Sequence, residues 1–177
     1  MSEHKLAQDA EPLFDRDRLL AWMAEQDIAH LTHDHPAVFH VADGQDLKAA
    51  LPGTHSKNLF LKDKKGRLWL ISARQDTRID LNRTARTMGA GRLSFASADL
   101  LFEVLGVRPG SVTALALIND TAGRVTFVLD QALWNAEVVN FHPLSNTATT
   151  AMSQTAFRTF LGRIGREPIV IDFAENA

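Results

Sequence analysis

The chain has 177 residues, 45% hydrophobic and 23% charged, with a formal net charge of −2 and no cysteine. That length suits one domain with a sizeable core, and the missing cysteines exclude a disulfide framework, a thiol nucleophile and cysteine-ligated zinc. No apolar run reaches the ~18 residues of a membrane span, and no apolar signal segment follows Met1, so a cytoplasmic location is expected.

In chain order, residues 1–14 are expected to form a flexible arm and residues 15–177 a single domain. Asp15 is placed to cap a helix through about Gln26, with Leu19, Leu20, Trp22 and Met23 as its apolar face. Ile28 to His35 reads as a short strand, Val38 to Val41 as an extended stretch, and Asp43 to Ala50 as a short helix ended by Pro52-Gly53. The segment from His55 to Asp63 is the most informative. It sets a lysine and an asparagine, Lys57 and Asn58, at the mouth of the apolar strand Leu59-Phe60-Leu61. A charged turn, Lys64-Lys65-Gly66-Arg67, leads into a returning strand, Leu68 to Ala73.

Ile79 to Met88 has helical spacing and stops at Gly89. Ser97 caps a helix over 98–105, and Gly106 closes it. Val112 to Ile118 and Arg124 to Leu129 are expected to form a second hairpin. Asp130 to Trp134 suggests a helical turn, Glu137 to His142 a strand ended by Pro143, and 146–152 another. Ser153 caps a last helix carrying Phe157, Phe160, Leu161 and Ile164, and 168–173 is a terminal strand. Strand pairs interleaved with helices indicate a mixed α/β class with one central sheet.

Charge is unevenly distributed. Between Lys57 and Arg92 there are ten basic residues and three acidic ones, a local excess of +7, while the remainder carries −9. A basic face on an acidic body can guide a polyanion to one place, although charge runs are also common on plain solvated surfaces. There is no nucleophile-elbow motif, no phosphate-binding loop and no H-E-x-x-H. Four histidines cluster at 30, 33, 35 and 40, but none has the helical i, i+4 spacing of a metalloprotease. Hydrogen-bonded or surface histidines are the expectation, with no metal and no cofactor.

Four blocks of residues, taken together, resemble a known family. They are His35-Pro36-Ala37-Val38-Phe39, Leu51 to Asp63, Gly106 to Thr113, and Asn140 to Asn146, and they look like the YbaK/aminoacyl-tRNA-synthetase-associated domain. Within that superfamily the chain is most similar to freestanding prolyl-tRNA editing proteins, which remove alanine from proline tRNA. The resemblance runs from about Ala29 to Phe173. It implies an α/β (mixed α+β) fold: a single YbaK-like domain with a central mixed, mostly antiparallel sheet flanked by helices.

It also implies a metal-independent hydrolase of aminoacyl esters that forms no covalent intermediate. By this resemblance Lys57, Asn58 and His142 are the catalytic candidates. Gly110, Ser111 and Phe39 would bind the aminoacyl group, and Lys62, Lys64, Lys65 and Arg92 would meet tRNA phosphates. The expected partner is the acceptor end of mischarged proline tRNA rather than DNA or a membrane. Prolyl-tRNA synthetase or an elongation factor is an expected associate, and the expected state is a monomer or weak dimer. Serine- or cysteine-charged tRNA, or tRNA binding without catalysis, stay open as alternatives.

Each site residue has a plainer reading. Lys57 could be an exposed strand lysine, His142 a core histidine bonded to backbone, and Asn58 a turn residue. Alternation adds a condition. If the regular strand already includes residue 57, Lys57 and Asn58 point to opposite faces; one pocket for both requires the strand to begin near Leu59. The chain departs from the family pattern at His40 and Asp43, where threonine and glutamate are usual, and at Ala114, where proline is common.

Overall fold

Four helices begin where a side-chain oxygen can satisfy a free amide of the first turn. Asp15 accepts from the Arg18 amide and starts α1, Arg16–Glu25, which buries Leu19 and Met23. Asp80 caps α2, Leu81–Met88; Ser97 caps α3, Ala98–Leu105; Ser153 caps the last long helix, Gln154–Arg163. Gly89 and Gly106 end α2 and α3 in the left-handed region, as their positions in the sequence indicate. The structure, a computed structural model, describes residues 13–37 and 51–174. The readings made for 38–41 and 43–50, with Phe39, His40 and Asp43, lie outside the described residues. At the end of the expected arm, the Phe14 amide donates to Asn119 Oδ1 and its ring meets Trp22 edge-on.

The strands are β1 (Leu31–Asp34), β2 (Thr54–Asp63), β3 (Leu68–Arg74), β4 (Leu93–Phe95), β5 (Val125–Asp130), β6 (Val138–Phe141), β7 (Ala148–Ser153) and β8 (Ile169–Ile171). They form one sheet in the order β1-β7-β6-β2-β3-β5-β8, with β4 also paired to β2. β1–β7, β6–β7, β2–β3 and β2–β4 are antiparallel, whereas β2–β6, β3–β5 and β5–β8 are parallel. The sheet is therefore mixed and mostly antiparallel, as expected.

One expected hairpin is absent. Ala114–Asn119 is a 3-10 helix, fully buried, and not a strand partner of β5. A continuous apolar run carries no period that separates a buried strand from a buried helix. Thr113 helps settle the choice, because its hydroxyl accepts from the Leu115 amide. Ala114, the residue that departs from the family pattern, opens this helix. β5 instead lies parallel to β3, and the short helical turn Gln131–Trp134 (α4) follows it.

Both faces of the sheet are covered. On one, α1, α3, the 3-10 helix and the last helix (α5) bury Phe60, Leu70, Phe127, Phe141, Phe157 and Phe160. On the other, α2 and the C-terminal segment cover Leu61, Trp69, Ile71 and Val128. The alternation of β2 and β3 assigns each side chain to one of these faces.

Candidate active site

Lys57 and Asn58 sit well inside a regular strand, since β2 begins at Thr54. The condition for a shared face is therefore not met. Lys57 pairs with Ala73 on the face of Leu59 and Leu61, while Asn58 pairs with Ser72 on the face of Phe60. The Lys57 ammonium donates to the Thr77 carbonyl, and the Thr77 hydroxyl donates to Asp130 at 2.7 Å. Asn58 accepts from the Ser72 hydroxyl, and its amide nitrogen lies 3.4 Å from Ser56 Oγ. Each residue is held by a different network.

A notch in the sheet lies between these faces. One edge of β2 pairs with β6 only at Thr54 and His55, and with β4 only from Leu61 to Asp63. Among the described residues no strand pairs with 56–60 on that edge, where Ser56 Oγ donates to the Asn140 carbonyl and Phe60 accepts from the Ala96 amide. Side chains from both faces border such a gap. His55 is opposite Asn140 in the last β2–β6 pair, and β6 ends at Phe141, one residue before His142.

His142 is largely buried beyond the end of β6. Its Nδ1 donates to the Ala148 carbonyl at 2.9 Å, which leaves Nε2 as the acceptor of the neutral ring. Burial is the main cause that lowers its pKa, and nearby His35 and His55 lower it further, against the opposing pull of the Ala148 carbonyl. The rings of His35 and His142 are 6.3 Å apart. His35 bonds the Pro36 carbonyl and Thr149 Oγ1, while His30 bonds the Ile28 carbonyl. Among the described residues, no three of His, Asp or Glu converge as a metal-ligand set.

Gly110 and Ser111 lie in the turn before the 3-10 helix. Gly110 has φ +93, and a Cβ there would come within 3.6 Å of Asn146 Nδ2. The 108–111 turn thus meets the loop that follows His142. Ser111 is buried, and its amide donates to the Arg108 carbonyl rather than standing open.

The basic candidates surround a groove of about 690 Å³ at the far end of β2, lined by Lys62, Lys64, Arg92, Ser94, Phe95 and Ser97 among others. Lys65 belongs to the adjoining turn. Asp63 builds this region. Its carboxylate accepts from the amides of Lys65, Arg67 and Gly91, from Arg67 Nε at 2.8 Å, and from the Trp69 indole. Burial alone would raise this carboxyl, but those donors outweigh it and hold it at about 2. The β2–β3 turn is thereby tied to the 89–92 segment, where a Cβ at Gly91 would make only ordinary contact with Lys64, at 3.4 Å. Nothing in the residue types predicted this anchor or β4.

Comparison with known proteins adds four findings. The model of the aminoacyl-tRNA editing domain matches residues 35–160. The chain is 44% identical over 163 residues to prolyl-tRNA synthetase associated domain-containing protein 1 of Xenopus laevis, covering 89% of this chain and 96% of that one. It is 32% identical over 139 residues to prolyl-tRNA editing protein ProX of Acetoanaerobium sticklandii, covering 78% and 85%. Among solved structures, a candidate trans-editing enzyme for prolyl tRNA synthetase superposes with a TM-score of 0.64 at 20% identity, covering 91% of this chain and 98% of that one, which shows the shared fold.

Proposed function

We propose a reaction for this chain from one premise: it belongs to the aminoacyl-tRNA editing domain family. The reaction is hydrolysis of a mischarged proline tRNA in trans, with the alanyl ester as the favoured substrate. Relatives named for prolyl-tRNA editing and synthetase association support proline tRNA as the carrier. The observation that carries the catalytic reading is the notch in β2, with Lys57 and Asn58 on its opposite faces and the neutral His142 ring just beyond the end of β6.

An aminoacyl ester is already a reactive acyl group, so the protein chiefly has to hold it and stabilise charge. Water adds to the ester carbonyl, and the bond from that carbon to the ribose oxygen breaks. The ribose oxygen takes a proton, releasing tRNA with a free terminal hydroxyl and the amino acid. The neighbouring ribose hydroxyl can orient the water. Lys57, leaving the Thr77 carbonyl, would meet the ester oxygen or terminal phosphate with its ammonium. Nε2 of neutral His142 would accept a hydrogen bond from the water or a ribose hydroxyl. Asn58 would orient the terminal nucleotide from the opposite face, and the 110–111 turn and Phe39 would bound the amino acid.

Release of free alanine from Ala-tRNA(Pro) by purified protein tests this reading. Lys57→Ala should slow it by about 100-fold or more, the cost typical of losing one donor to developing oxyanion charge. An unchanged rate would remove Lys57 from the site.

A further inference from the structure

Phe95 is an aromatic ring left in water. It is 67% exposed, the most exposed large hydrophobic side chain among the described residues. It sits on β4, which pairs only with β2 among the described strands, and it lines the basic groove together with Lys62, Lys64 and Arg92. None of these three cations forms an ion pair among the described residues, and neither does Lys65. Among the described residues the only carboxylate lining the groove is Asp63, whose oxygens are already filled by five donors. The groove therefore combines unneutralised positive charge with an open π-face.

We propose that Phe95 is a stacking platform for an unpaired nucleobase of the RNA strand that enters the notch. Free cations beside an exposed aromatic ring are the arrangement by which proteins hold single-stranded nucleic acid, with phosphates on the cations and a base on the ring. An anionic protein segment would use the cations but has no need of the ring face. Position supports the assignment. Phe95 is opposite Leu61 and so lies on the face of Lys57, four residues further along β2. At about 3.3 Å per residue that is ~13 Å, close to the reach of about four stacked nucleotides at ~3.4 Å each. An ester held at Lys57 would thus bring Phe95 to the last unpaired nucleotides before the acceptor helix. This inference rests on the tRNA reading above and adds the residue that grips the strand.

The test is equilibrium binding of a labelled, uncharged RNA hairpin with a single-stranded 3′ A-C-C-A extension, measured over a range of salt. Phe95→Ala should weaken binding about 5-fold or more without changing the salt slope, and Phe95→Trp should retain it. Lys62→Ala should instead lower the slope by about 1. Replacing single extension nucleotides with abasic sites should abolish the Phe95→Ala effect at one position. Wild-type affinity in Phe95→Ala, or an equal loss on a blunt hairpin, would overturn the inference, even if deacylation proceeds normally. A change of oligomeric state in Phe95→Ala with RNA binding intact would overturn it too, assigning the ring to a protein contact. Failure of any ester to hydrolyse while the stacking effect holds would reject the catalytic reading alone.

Discussion

The proposed reaction asks an ammonium to meet the ester, and Lys57 offers one on a fixed stem: a strand interior behind it and a carbonyl at its tip. The Thr77 carbonyl that holds it is set by Asp130, which accepts from both the Thr77 hydroxyl and the Arg74 amide. His142 has the opposite property, a ring whose neutral form is favoured by burial. Its lowered pKa means that the unfolded chain holds a proton on this ring over a pH range where the folded chain does not. Its contribution to stability is thus full above the ordinary histidine value of about 6.5 and is lost as pH falls through that value. Deacylation should fall only at lower pH, where the folded ring itself takes up a proton below the ordinary histidine value, and His142→Gln should lower kcat by roughly 100-fold and remove that acid limb from the profile. Persistence of the limb in the variant would assign it elsewhere. Asp63 gives the acid counterpart. With its carboxyl held at about 2, it stabilises the fold above the ordinary aspartate value of about 3.9 and loses that contribution as pH falls toward 2. Thermal melts of Asp63→Asn should show a lower Tm at pH 7 and a smaller difference from wild type near pH 2.

At the scale of elements, the notch depends on how β2 meets β6. Gly53 precedes that junction at φ +102, where a Cβ would lie 2.6 Å from Val138 Cγ1 and 2.9 Å from Asn140 Nδ2. Gly53→Ala should therefore cost more than about 1 kcal/mol, through both strain and displacement. It should also lower deacylation beyond the loss of folded protein; normal activity per folded molecule would show that the junction does not set the site. This junction was not legible in the sequence, because a parallel pairing of residues 54–55 with 139–140 leaves no local signal. The β2–β3 hairpin was legible, since its charged turn and apolar flanks are adjacent in the chain. So were the caps at Asp15, Ser97 and Ser153 and the stops at Gly89 and Gly106, where one residue type satisfies one local need. The 3-10 helix at 114–119 and the three-residue β4 escaped for the reverse reason: long-range packing selects their conformation. Lys57 and His142 were legible as candidates by resemblance, but the backbone carbonyls that hold each of them were not.

For the molecule as a whole, the basic segment between Lys57 and Arg92 divides on folding. Arg67 is bound to Asp63 and Arg74 to Asp76, whereas Lys62, Lys64 and Arg92 gather at the groove. The charge excess is therefore partly structural and partly available to an RNA backbone. Raising salt should weaken tRNA binding and leave kcat at saturation nearly unchanged, because screening weakens the phosphate contacts that bring the RNA on, and saturation removes that dependence. Selectivity among amino acids is a separate matter, worth only about 1–3 kcal/mol per methylene in an apolar pocket. The most direct measurement is a deacylation panel on one proline tRNA charged in turn with alanine, serine, cysteine and proline. Fast release of alanine with Pro-tRNA(Pro) left intact is the expected result. Hydrolysis of Pro-tRNA(Pro) at a similar rate, or no release from any of the four esters, would contradict an editing function.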